Sequence, residues 1–130
     1  VKSSETTARH IGTLLNMESE STGENYRFSR KRTIEIGEGN LVRTALFNLI
    51  ISFKDYQDSG VARNEAELYL RIEECEGFLS ELLQHEHPLP TDYHQWQEEK
   101  ADVVCLHIEA IEPPEIFADR LTEAFKRIAD

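Results

Sequence analysis

Carboxylates are the residues in this chain whose type and spacing best suit chemistry. Glu73, Glu74 and Glu76 cluster in one stretch, and Glu99 and Asp102 stand together in another. If both stretches are helical, ~100° per residue sets Glu76 at the edge of an apolar face, between Tyr69 and Leu83. The same projection sets Glu99 between Leu106 and Ala110, with Asp102 beside it. Carboxylates one turn apart on two facing helices can bind Mg²⁺, a hard cation that takes oxygen ligands and keeps some waters. Such an ion would polarise a phosphoryl group and activate water. The competing reading is that helical rotation carries Glu73, Glu76, Glu99 and Asp102 clear of the core, as surface acids.

Other reactive types are present but poorly arranged. His85, Glu86 and His87 could bind a transition metal, yet two histidines in a connector with no cysteine or third histidine nearby read as solvent-exposed. His107 falls on an apolar side, the setting of a satisfied core or boundary histidine. Arg27, Arg30, Lys31 and Arg32 form a basic patch for a phosphate or RNA contact, for pairing with acidic helices, or for a solvated strand face. There is no Gly-rich phosphate loop, no Gly-x-Ser-x-Gly elbow, no Cys-x-x-Cys and no His-Glu-x-x-His.

The elements that must position these groups read as mostly α. Residues 41–57, LVRTALFNLIISFKDYQ, follow a Gly39-Asn40 pair suited to an N-cap and are apolar over most of a helical circumference. They predict a central core helix. A second helix over about 64–84 carries Leu68, Ile72, Cys75, Leu79 and Leu82 at spacings of four and three, a packing seam. A third, over about 93–111, would bury Trp96, Val103, Val104, Ile108 and Ile111. The last begins at Pro114 and presents Phe117, Leu121, Ala124, Phe125 and Ile128 on one face. Before them, Tyr26, Phe28, Ile34 and Ile36 share the parity of a strand over about 26–36. Residues 1–25 read as an N-terminal arm or linker, with a short docked helix around Ala8, Ile11, Leu14 and Leu15. The expectation is a four-helix bundle-like single domain over 26–130, with one short β segment and an arm.

Two of these stretches resemble a known family. EEKADVVCLHI (98–108) is similar to the Glu-x-x-Asp helix of the MazG-like all-α nucleotide pyrophosphohydrolases, and IEECEGFLSEL (72–82) looks like their Glu-Glu-x-x-Glu helix. The resemblance implies an oligomeric bundle that uses Mg²⁺ to hydrolyse nucleoside triphosphates to monophosphate and pyrophosphate. Glu99 and Asp102 match the second motif, and Glu73 and Glu74 the leading pair of the first. Its third carboxylate would fall at Gly77, and Glu76 stands one position earlier.

Composition narrows the classes. At 130 residues the chain fits one domain. A net charge of −11 argues against general nucleic-acid binding, because the phosphate backbone is repelled. It suits a solvated surface, a basic protein partner or a divalent cation. Cys75 and Cys105 lie inside expected helices, which favours reduced thiols and a cytoplasmic protein, and no apolar run suggests a secretory signal or a membrane span. Met17, the single methionine, could serve as an internal start. The leading reading is a small acidic helical protein-interaction module, acting by charge complementarity with a basic protein partner and without a cofactor, with homo-oligomerisation open. Its candidate contacts are Glu65, Glu67, Glu81, Glu109 and Glu112. The alternative is the Mg²⁺-dependent pyrophosphohydrolase, with Glu73, Glu76, Glu99 and Asp102 as the metal ligands.

Overall fold

The computed structural model describes residues 3–100 and 102–128. The chain runs α1 (Ser4–Leu15), β1 (Glu18–Thr22), β2 (Asn25–Glu38), β3 (Leu41–Lys54), β4 (Ala62–Arg71), α2 (Ile72–Gln84), β5 (His94–Lys100), β6 (Val103–Glu112) and α3 (Pro114–Phe125). The strands form one antiparallel sheet in the order β1-β2-β3-β4-β6-β5. This overturns the mostly-α, four-helix expectation: among the described residues the architecture is a six-stranded sheet with three helices packed on one face. Among the described residues no helix is long and apolar enough to cross a membrane.

The stretch expected to be the central helix is β3. Gly39 and Asn40 do not cap a helix but form the tight turn of the β2–β3 hairpin, which closes on the Glu38–Leu41 pair. Gly39 takes φ +63°, a conformation glycine reaches without a Cβ penalty, and a glycine in the first central position is the mark of a two-residue hairpin turn. Gly23, at φ +64°, does the same between β1 and β2. The apolar residues of β3 then sort by parity. Leu49, Ile51 and Phe53 are buried toward the helices, whereas Val42 and Leu46, of the other parity, are exposed; Leu41 is exposed because it stands at the hairpin tip. A strand apolar on both parities mimics a helix apolar all round.

The expected second helix is half strand. β4 alternates Ala62, Asn64, Ala66, Leu68 and Leu70 inward with Arg63, Glu65, Glu67 and Tyr69 outward, and only at Ile72 does the chain turn into α2. The expected third helix is the antiparallel pair β5 and β6. α1 and α3 fall where helices were read.

The main core gathers Tyr26, Phe28, Leu49, Ile51, Phe53, Leu68, Leu70, Leu106 and Ile108 from the sheet under Ile11, Phe78, Phe117 and Leu121 from the helices. Tyr26 stacks on Phe53 at 4.9 Å between ring centroids. The hairpin outruns β4, which pairs with β3 only over 50–54. In that outer part Ile34 and Ile36 form a smaller cluster with Val103, against which Phe47 and Tyr69 pack. Two buried guanidinium groups brace the layers. Arg32 donates to Glu74 of α2 at 2.6 Å and to the Tyr69 carbonyl at 2.8 Å. Arg120 of α3 donates to both oxygens of Glu112, at 2.6 and 3.0 Å.

Candidate functional site

Because successive side chains in a strand point to opposite faces, the residues that do not enter the core share the helix-free face of the sheet. The register places Arg27, Ser52, Glu65, Glu109 and His94 in one row across it. Ser29, Ile50, Glu67, His107 and Trp96 make the next row. Tyr69, Cys105 and Glu98 continue the grid on the other side of Glu67 and His107. Ile50, Ser52, Glu65, Glu67, Trp96, His107 and Glu109 line an open hollow of about 210 Å³.

The centre of this face is a cluster of unlike groups. The Cys105 Sγ lies 3.4 Å from His107 Nε2 and 3.8 Å from Glu67 Oε1. The Tyr69 hydroxyl donates to the same Glu67 oxygen at 3.2 Å. Trp96 stacks on the His107 ring at 5.0 Å with the planes 5° apart, which holds the imidazole flat beside the hollow. Burial pushes the Cys105 thiol up; a hydrogen bond with Tyr69 opposes this, and the negative charges of Glu67 and Glu98 add to it. Burial, Cys105 and Glu67 push the Tyr69 phenol up to about 12. Both groups therefore keep their protons at neutral pH. A thiol held in that state is a poor nucleophile, so the cluster offers proton donors and ligand atoms rather than an activated cysteine.

Around it stand carboxylates. Glu65 and Glu109 face each other directly across β4 and β6, and Glu98 pairs with Cys105 across β5 and β6. Among the described residues none of Glu65, Glu67, Glu98 and Glu109 forms an ion pair.

The carboxylates picked out by helical spacing lie elsewhere. Glu73 and Glu76 are exposed on α2, Glu99 is exposed on β5, and Asp102 is exposed between β5 and β6. Glu74, Glu99 and Glu73 come close enough to Cys75 that, after burial, their charges push its thiol further up. Glu73, Glu76, Glu99 and Asp102 do not form a group with ligand atoms within 4.8 Å of one another. The Glu-x-x-Asp stretch sits on a strand and the turn after it, where a three-residue spacing no longer places two side chains on one face.

Other expected contacts divide between surface and core. Glu112 is buried against Arg120, and Glu81 reaches Arg127 at 3.6 Å. The basic run is split by strand parity: Arg32 pairs inward with Glu74, Arg30 lies over the Phe125 ring at 5.4 Å, and Arg27 is exposed on the other face. His85 bonds Asp119 at 3.0 Å, and Glu86, His87 and Asp119 gather within 4.8 Å at the surface.

What the helical reading missed is Cys105 with His107. A strict alternation from Val104 to Ala110, apolar on even numbers and polar on odd, would have put both on one side of a strand. β4 carries the same signal in ARNEAELYLR. Comparison with known proteins adds no relative, since no family model, curated protein or solved structure matches the chain.

Proposed function

We propose that this protein is a non-catalytic interaction module that docks a basic protein partner on the helix-free face of its sheet. The observation that carries the reading is the set Glu65, Glu67, Glu98 and Glu109, without ion-pair partners among the described residues, grouped around a Trp96 that is 40 % exposed. A chain of net charge −11 attracts cations at long range. Carboxylates grouped on one face turn that attraction into an orientation, steering encounter and selecting among partners. Trp96 supplies what charge does not, a rigid aromatic surface of the kind that anchors interfaces. Lysine or arginine side chains of the partner would pair with the carboxylates that line the hollow beside His107.

The test compares immobilised wild-type protein with Glu65→Lys/Glu109→Lys and with a control reversed on the helices, Glu5→Lys/Glu123→Lys. Wild type and control are expected to retain the same basic partner. That retention should fall as salt rises, since exposed charges are screened beyond ~8–10 Å at physiological ionic strength, and the sheet-face variant should lose it. Retention indifferent to salt and to the sheet-face reversal would sink the reading.

A further inference from the structure

The cluster at the centre of the sheet face has a chemistry that partner binding does not require. Cysteine, histidine and glutamate are three types of ligand that zinc-class ions accept, and here one of each converges. The convergence comes from register alone: Glu67 of β4 stands directly across from His107 of β6, and Cys105 is two residues back on the same face. With Zn–S near 2.3 Å and Zn–N or Zn–O near 2.0–2.2 Å, a tetrahedral ion separates sulfur from the other donor atoms by about 3.6 Å. The distances present are 3.4 Å from sulfur to imidazole nitrogen and 3.8 Å from sulfur to carboxylate oxygen. All three ligand atoms lie within 4.8 Å of one another.

The surroundings fit as well. Ligating groups are usually oriented by outer partners, and here the Tyr69 hydroxyl bonds the Glu67 oxygen while Trp96 lies flat on the His107 ring. The second gathering of ligand types, Glu86, His87 and Asp119, has no thiol, and two of its three members are exposed.

We propose that Glu67, Cys105 and His107 form a three-ligand site for a zinc-class transition-metal ion, with the fourth position left for water or for a donor atom of a docked molecule. Binding exchanges the Cys105 S–H bond for an S–metal bond and releases that proton to solvent. Three protein ligands and an open position distinguish this site from a closed structural zinc centre. The site shares Glu67 and its face of the sheet with the docking proposal but does not rest on it, because purified protein alone suffices to test it.

Cobalt(II) is the probe, since a thiolate–cobalt charge-transfer band reports sulfur ligation and strong visible bands report a tetrahedral field. Titration of the full chain is expected to produce both, saturating at equimolar metal. Cys75→Ser should keep the charge-transfer band and Cys105→Ser should abolish it. His107→Gln and Glu67→Gln should weaken binding at least ~10-fold, the loss that even outer-shell changes produce. A band that survives Cys105→Ser, or that never forms in wild type, would overturn the site. Should Cys105→Ser fail to fold, wild type still decides: Zn²⁺ is expected to slow alkylation of Cys105 relative to Cys75, and equal rates with and without Zn²⁺ would refute the proposal.

Discussion

Arg32 is 1 % exposed, and the carboxylate that answers it is Glu74, which also accepts the Arg71 backbone N–H at 2.8 Å and the Arg71 guanidinium at 3.2 Å. One acid thus closes the first turn of α2 and neutralises a cation inside the sheet–helix interface. Burial pushes the Glu74 carboxyl up, but the hydrogen bond and charge of Arg32, together with Arg71, outweigh it and hold the group below the ordinary carboxylate range. A depressed folded pKa means the stabilisation is fully present above the unfolded value of about 4.3 and is lost as pH falls through the folded one. Glu74→Gln is therefore expected to cost about 3 kcal/mol at neutral pH, the scale for removing one partner of a buried pair. Urea unfolding at a series of pH values checks this, and the gap between variant and wild type should narrow on acidification. The basic run containing Arg32 was visible from the residues, and pairing with acidic helices was one of its three readings. Which of its cations turn inward depends on strand parity, and β2 was the one strand whose parity was read.

At the scale of elements, α3 was legible because a proline-led, amphipathic segment has few other ways to fold. β3 was not, because Leu46, Phe47, Ile50 and Ile51 load both parities and the deciding evidence, the turn at Gly39, could also be taken for a helix cap. The β4–α2 boundary hid for a related reason. Leu68 lies within the strand and Cys75 in the first turn of the helix, yet their numbers continue one spacing of four and three. The Glu67–Cys105–His107 cluster was lost with these elements, since it exists only where two strands lie side by side. The strand geometry makes its own prediction. Leu49→Ala should cost about 2–5 kcal/mol, because Leu49 is wholly buried, whereas Leu46→Ala at 61 % exposure should stay within about 0.5 kcal/mol. Chemical denaturation of the two variants checks the alternation. The link between β6 and α3 is equally specific. Arg120→Met should cost about 3–5 kcal/mol by leaving the buried Glu112 carboxylate without its cation, and adding Glu112→Leu should recover much of that.

The molecule as a whole is a one-sided sandwich, and α1 is part of its cover rather than a loose arm. Ile11 and Leu15 enter the main core, Ser4 bonds the Tyr26 hydroxyl at 2.9 Å and Thr7 bonds that of Tyr56 at 3.0 Å. A chain beginning at Met17 would uncover Tyr26, Phe28 and Tyr56. Such a truncation is expected to bind a hydrophobic dye and to unfold at lower denaturant than the full chain, with a smaller dependence on denaturant because less surface is buried. The opposite side of the sheet carries the only tryptophan in the sequence, lying flat on His107. Nature has thereby installed a lamp at the spot where an ion or a partner would arrive. Indole emission needs no label and has no second source to confuse it, so a brightening or dimming on mixing would register occupancy there in real time.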